Sequence, residues 1–499
     1  MRHRLTVAGV ASAAFLLLAV PASAAGPAPG APGIGDSYYP TYGNGGYDVS
    51  HYDLRLTYQP RTDLLEGTAT ILATATQDLS RFDLDFALDT SEVRVNGKKA
   101  AFTQAGPHKL EITPAAPLPA GRPATVVVRY RGTPSKVVVD GFTAWHRTPD
   151  GAVAANEPEA AWWWFPSNDH PLDKASYDVS VAVPDGTQAI SNGTLQAASS
   201  RLGWTRYSWR ERKPQASYLA TLAMGRFDVT TGTTDGGLPV VNAYSKDLGE
   251  QEGAARASVE RTGEIIDWEA GVFGPYPFDA AGGYVPNTAT RFALETQTRP
   301  FYSPAQFAKG ANTSLIVHEL AHQWFGDSVS VKDWRDIWLN EGFASYAQWL
   351  WSEKEGEGTT RQLADYTYAS HPADDPFWTV KPGDPGPENQ FHDAVYDRGA
   401  LALQALREEI GDDAFFAVLK GWTAEHRYGN AAVRDFEAYA EKTSGKELTG
   451  LFDTWLFTPS KPAAPAARAA ALGAGPAPAR PASWQRIHAA HGHGLPAAR

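Results

Sequence analysis

The sequence predicts an α+β chain of two domains, a β domain followed by a mainly helical one, and three observations carry that expectation. At 499 residues the chain is longer than a single hydrophobic core usually serves. Hydrophobic residues make up 43% and aromatics 11%, enough apolar surface for more than one core. The period of the apolar pattern also changes near residue 250, from two to about 3.6.

Taken in order, residues 1–24 carry Arg2 and Arg4, an apolar run through Phe15, Leu16, Leu17, Leu18 and Val20, then Ala22-Ser23-Ala24. This is the pattern of a cleaved signal peptide, so a secreted protein without stable membrane insertion is expected. Residues 25–44 are rich in Pro and Gly and are expected to be a flexible lead-in. The β domain is expected over 45–245. Tyr52, Leu54, Leu56 and Tyr58 alternate, as do Phe82, Leu84, Phe86 and Leu88 and then Tyr177, Val179, Val181 and Val183, while Asn96-Gly97 reads as a hairpin turn. The helical domain is expected over 246–460. Val259, Ile265, Ile266 and Trp268 suggest a helix ending before Gly274-Pro275, and further helices are expected at 313–325, 341–353, 398–410 and 433–443. Residues 461–499 are low in complexity and Ala/Pro-rich, so a disordered tail is expected, and His488, His491 and His493 within it lack a scaffold for metal binding.

The chain has no cysteine, which excludes disulfides, thiolate metal sites and cysteine nucleophiles. The formal charge is -12, and the body is more acidic than that, because residues 1–24 and 461–499 hold only cations. Such a surface argues against nucleic acid or an anionic membrane as partner.

His318-Glu319-Leu320-Ala321-His322 lies in a segment suited to a helix. Residues four apart on a helix project from one face, so both imidazoles can bind one ion, and Glu319 is close enough to reach a metal-bound water as general base. The third ligand is assigned to Glu341, in Trp338-Leu339-Asn340-Glu341-Gly342-Phe343-Ala344. Two imidazoles and one carboxylate leave a position for water, the catalytic rather than the structural type of zinc site, for which amide hydrolysis is the natural reaction. With 13 histidines in the chain, a chance HExxH is expected only about 0.02 times.

HELAH followed, after 18 residues, by the Glu of WLNEGFA resembles the aminopeptidase N (M1) family of zinc metallopeptidases, in a short form without the large C-terminal helical domain. Phe165-Pro166-Ser167-Asn168-Asp169-His170-Pro171 with Lys174-Ala175, and Ser217-Tyr218-Leu219, resemble two further family segments. The resemblance implies a saddle-like β domain, a thermolysin-like catalytic domain with one zinc ion, and peptide substrates with a free N-terminus. Phe292-Ala293-Leu294-Glu295-Thr296 stands where the family holds that N-terminus, which implies Glu295 as amine anchor and Ala293 beside the substrate. A second anchor falls on Glu157, with Glu159 as alternative. Tyr396, in Tyr396-Asp397-Arg398-Gly399, takes the place of the family's oxyanion donor. Trp162, Trp163 and Trp164 are expected to pack at the domain junction. The short form implies an open cleft accepting peptides of varied length.

Two other readings remain open. A thermolysin-type endopeptidase would share the metal motif without needing Glu295, and a silent secreted binding protein would keep the fold without turnover. Metzincins are excluded, because Ser328 stands where their third histidine falls.

Overall fold

The structure is a computed structural model that describes residues 26–139, 141–463 and 477–491, so the expected signal peptide lies outside the described residues. The N-terminal domain is built on an eight-stranded sheet. Its strands are β1 (Tyr47–Gln59), β2 (Leu64–Ala75), β3 (Asp89–Val95), β4 (Lys98–Lys99), β5 (Pro123–Gly132), β6 (Ala175–Pro184), β7 (Thr194–Arg201) and β8 (Trp204–Gln215), in the order β7-β8-β6-β1-β2-β5-β3-β4. All neighbours are antiparallel except β6 and β1. Alternation fixes the register: Tyr52, Leu54, Leu56 and Tyr58 are buried from β1, and Tyr52 stacks on its cross-strand partner Tyr177 at 5.0 Å.

The helical domain opens on a second, five-stranded sheet. Strands β9 (Phe227–Thr233), β10 (Pro239–Ser245), β11 (Ala281–Val285), β12 (Ala293–Leu294) and β13 (Phe301–Tyr302) run in the order β9-β10-β11-β13-β12. The expected boundary at residue 245 is therefore too late. Strands β9 and β10 read as more of the preceding β pattern, but β10 hydrogen-bonds to β11, so 227–245 join the sheet of the helical domain. The helices of eight residues or more are α1 (Glu252–Val259), α2 (Thr262–Phe273), α3 (Thr313–Ala321), α4 (Trp338–Lys354), α5 (Thr360–Ser370), α6 (Gly399–Ile410), α7 (Asp412–Glu425), α8 (Val433–Ser444) and α9 (Trp484–His491).

This second sheet is a shared wall between two cores. Ala281, Val285, Ala293 and Tyr302 pack into the helical core with Leu315, Leu320 and Phe343, whereas Tyr284, Leu294 and Phe301 pack into the core of the β domain. The period of two thus points Ala293, and by the same step Glu295, toward the helices. Trp162, Trp163 and Trp164 are fully buried, but their partners belong to the β domain and the lead-in rather than to this wall: Trp162 packs on Tyr42 and His108, Trp163 Nε1 donates to the Val137 carbonyl, and Trp164 packs on Phe165. Lys174 crosses the domain junction, donating to the carbonyls of Asp327, Ser328 and Gly429 at 3.1, 3.0 and 2.8 Å, so the FPSNDHP–KA segment is a domain clamp.

Two expectations of flexibility are overturned. The lead-in is tied down from Ala28 onward. Ala28–Pro29 pairs with Leu79–Asp85, and buried Asp36 accepts from the backbone N–H of Tyr38, Tyr39 and Trp334 at 2.8 Å each and meets His170 Nε2 at 3.0 Å. Tyr38 and Tyr39 then reach across to Asp384 and Gln390. A Pro/Gly-rich composition hid these few anchoring side chains. The tail likewise returns to the body over 477–491. Ile487 is fully buried, Trp484 packs on Tyr366 at 4.7 Å, and Ser483 Oγ meets Ser352 Oγ at 2.7 Å. Trp484 and Ile487 are three apart, one face of a helix, which suffices for docking. Residues 464–476 and 492–499 of the expected tail lie outside the described residues.

Candidate active site

Helix α3 starts at Asn312, whose side chain accepts from Leu315 N–H at 3.3 Å, and Ser314 to Ala321 are buried. It ends earlier than the expected residue 325. His322 sits at its C-cap, yet its N–H still bonds the His318 carbonyl at 3.3 Å, so the rings remain one turn apart with centroids 4.8 Å from each other. Gly326, at φ +130°, then turns the chain; a Cβ there would lie 3.5 Å from His322 Nδ1. Helix α4 begins at Trp338, one turn before the expected start, and carries Glu341 across α3.

One donor atom from each of His318, His322 and Glu341 lies within 4.8 Å of the others. Glu341 Oε2 is 3.2 Å from His318 Nε2 and 3.5 Å from His322 Nε2. The opposite ring nitrogens are held in turn. Nδ1 of His318 faces Gln348 Oε1 at 3.3 Å, and the Gln348 amide donates to the Ser314 carbonyl at 3.1 Å; Nδ1 of His322 donates to the Phe325 carbonyl at 3.0 Å. Both Nδ1 atoms thus have acceptors for a proton, and both Nε2 atoms converge beside Glu341, where they would turn their lone pairs to a metal ion. Burial alone would push the Glu341 carboxyl up, but His322 and His318 beside it hold it below the usual carboxylate range. Burial works against the His322 imidazole too, yet Glu341 and Glu295 carry it above its ordinary value. Two converging imidazole nitrogens, one ionised carboxylate and oriented outer partners fit a zinc ion with an open coordination position.

Glu319 is buried and its Oε1 has no hydrogen-bond partner among the described residues. Burial pushes its carboxyl well above the usual range. Its carboxylate, that of Glu295 and the His322 ring lie within 4.8 Å of one another. Glu295 accepts from the Tyr218 hydroxyl at 3.0 Å, and its carbonyl from the Gln323 amide at 3.1 Å, which latches the chain after β12 to the end of α3. Ala293 is on edge strand β12, buried and paired with Tyr302.

Glu157 is buried, and after burial itself the largest influences on its carboxyl are Glu295 and Glu341, which push it further up. Glu159 instead lies against Tyr42 of the lead-in and hydrogen-bonds it. The charged groups that act most on Glu157 are thus the site carboxylates Glu295 and Glu341, whereas Glu159 is engaged by Tyr42. Tyr396 lies in a π-helical turn, Ala394–Arg398, with its ring stacked near that of His318 at 6.0 Å and 23°. Arg398 anchors that turn by donating to the carbonyls of Trp378, Val380, Thr454, Trp455 and Thr458.

The structure brings His318, His322, Glu341, Glu319 and Glu295 together with Tyr396 beside His318, while Glu157 is linked to them by its charge and Ala293 lies on β12, two residues before Glu295. Three supporting residues were not foreseen. Gln348 lies seven after Glu341 and so shares its helix face, a spacing that could have flagged it. Tyr218 stood inside the Ser217-Tyr218-Leu219 resemblance without a role, and nothing in the sequence distinguishes Gln323.

Comparison with known proteins agrees with this geometry. Residues 49–219 match the peptidase M1 N-terminal domain and 295–455 the peptidase family M1 domain. The M1 zinc metallopeptidase from Deinococcus radiodurans superposes with a TM-score of 0.76 at 30% identity, covering 90% of this chain and 99% of that one. The chain belongs to the M1 family of zinc metallopeptidases. A variant of the same Deinococcus M1 enzyme has been solved bound to a Tyr-Ser-Ala substrate, with a TM-score of 0.76 at 29% identity, covering 90% of this chain and 99% of that one. Among curated M1 proteins, glutamyl aminopeptidase of Bos taurus is 28% identical over 62% of this chain and 34% of its own length. Human endoplasmic reticulum aminopeptidase 1 is 27% identical over 77% and 44%. The chain spans about a third to a half of the curated relatives it matches.

Proposed function

We propose that this M1 protein is a secreted aminopeptidase that removes one residue at a time from peptides with a free N-terminus. The observation that carries the reading is the closeness of Glu295 to Glu319 and His322, all within 4.8 Å. In a peptide the α-nitrogen and the first carbonyl carbon are only about 2.5 Å apart, and each further residue adds about 3.8 Å. An ammonium held by Glu295 therefore leaves only the first peptide bond beside Glu319. Glu157, Glu295 and Glu319 are all buried carboxyls pushed up by their surroundings, a cluster that favours an incoming cation.

His318, His322 and Glu341 would hold the zinc. When bound there it supplies a Lewis acid for the carbonyl oxygen and eases deprotonation of water. Glu319 takes the proton from the attacking water and returns it to the departing nitrogen. Tyr396 donates its O–H to the carbonyl oxygen as charge develops there. Glu295, oriented by Tyr218, and Glu157 bind the ammonium. Secretion rests on the 1–24 pattern, and no helix among the described residues is long and apolar enough to cross a membrane.

The test is hydrolysis of alanyl and leucyl anilides beside their N-acetyl forms, by wild type and Glu295→Ala. Acetylation should abolish cleavage by wild type, and Glu295→Ala should raise KM for the free amines. Undiminished cleavage of acetylated peptides would favour an endopeptidase instead.

A further inference from the structure

Helix α9 has no part in the proposed chemistry, yet it touches two elements of the site. Asn312, the N-cap of α3, donates its amide to the Arg486 carbonyl at 3.0 Å. Farther along, His488 Nε2 lies 3.0 Å from Asp397 Oδ2. Asp397 directly follows Tyr396 in the π-helical turn, and its side chain is 2% exposed against 31% for His488. A carboxylate buried to that degree requires strong donors. The adjacent Arg398 is committed elsewhere, to backbone carbonyls of 378–380 and 454–458.

The geometry of His488 also says what it donates. Its Nδ1 is 3.2 Å from the Trp484 carbonyl while Nε2 faces the Asp397 carboxylate, so both ring nitrogens look at acceptors. Only an imidazolium donates from both. The helix that presents it is fixed: Ile487 is fully buried, Ala482 N–H bonds the Glu357 carbonyl at 2.9 Å, and Arg486 pairs with the Glu357 carboxylate.

We propose that His488 is a positioning residue for the reaction, clamping Asp397 so that the 394–398 turn holds the Tyr396 hydroxyl where the reacting carbonyl oxygen arrives. The inference rests on the role proposed for Tyr396. A helix that merely filled a groove would affect melting but would not couple to Tyr396.

The experiment is steady-state kinetics on leucyl anilide with full-length, zinc-loaded protein. The variants are His488→Ala, His488→Gln, Asp397→Asn, Tyr396→Phe and the Tyr396→Phe/His488→Ala double. His488→Ala should lower kcat about tenfold with KM within about twofold, the scale of a small misplacement of a catalytic group. His488→Gln, whose amide N–H reaches the same carboxylate, should recover most of the loss. Asp397→Asn, isosteric with the native side chain, should reproduce it in protein shown by circular dichroism to be folded. In the Tyr396→Phe background, removal of His488 should cost nothing further. Wild-type kcat in His488→Ala or in Asp397→Asn, or a loss in the double variant that multiplies the two single losses, would overturn the inference. Wild-type kcat in Tyr396→Phe would instead remove the role of Tyr396 itself, a separate outcome.

Discussion

Gly399→Ala should slow this enzyme far more than its chemistry suggests, because Gly399 lies where α6 meets α4. A Cβ on Gly399 would fall 2.6 Å from Trp338 Cδ1 and 3.1 Å from the Cα of Gly342. Carbon atoms make contact at about 3.5 Å, so the new methyl is about 0.9 Å short of room against the indole and about 0.4 Å short against backbone. Trp338 has nowhere to swing, being fully buried among Phe343, Phe436 and Phe452 at 5.4, 5.9 and 6.5 Å. The helices must part by roughly 0.5–1 Å, an overpacking that costs about 1–3 kcal/mol. The shift falls on the site, since Gly342 follows Glu341 on α4 and Gly399 follows the turn that carries Tyr396. A misplacement of about 1 Å can cost about 10²-fold in turnover. Gly399→Ala should therefore lose about 10- to 100-fold in kcat, keep its zinc, and melt at lower temperature. Anilide kinetics, metal analysis and a thermal melt measure the three together. Turnover within about twofold of wild type would refute the account of how α4 and α6 set the spacing between Glu341 and Tyr396.

Three further outcomes are expected from the contacts around the site. Glu319→Gln should retain stoichiometric zinc by elemental analysis while turnover falls by about 10²–10⁴-fold, the range for loss of a general base. Gln348→Ala removes the acceptor that orients His318 and should weaken zinc binding about 10- to 100-fold in a chelator competition. The pairing of His488 should make docking of α9 depend on pH. Burial works against its imidazolium, but Asp397, and more weakly Asp393, hold its pKa above the ordinary 6.5. A raised folded pKa means the contribution is fully present below about 6.5 and is lost as pH rises through the folded value. The protection factor of amides in 482–491, hydrogen exchange corrected for its intrinsic pH dependence, should fall across that window in wild type and stay level in His488→Gln.

Much of the site was legible because metal chemistry is written in short spacings. His318 and His322 are one helical turn apart, and Glu341 lies in the first turn of the next long helix, so local geometry and one packing contact suffice. Glu295 was reachable through its place in a resembling segment, and the alternation of β12 explains why its side chain turns toward α3. The choice between Glu157 and Glu159 was not legible, since it depends on Tyr42 arriving from the lead-in to occupy Glu159. The same long-range contacts defeated the expectations for the chain ends. A few side chains, Asp36, Tyr38 and Tyr39 at one end and Trp484 and Ile487 at the other, tie down segments whose composition resembles linkers. The misplaced boundary at 245 has a related cause. A strand pattern reports that a strand exists and says nothing of which sheet it joins.

The most direct test of the central claim, that one ion held by His318, His322 and Glu341 makes the site active, is a titration of metal-free protein with zinc while leucyl-anilide hydrolysis is followed. Activity should rise in proportion to added zinc and break sharply at one equivalent, and Glu341→Gln should show neither the rise nor the break. Full activity in protein verified to be free of metal would contradict the account.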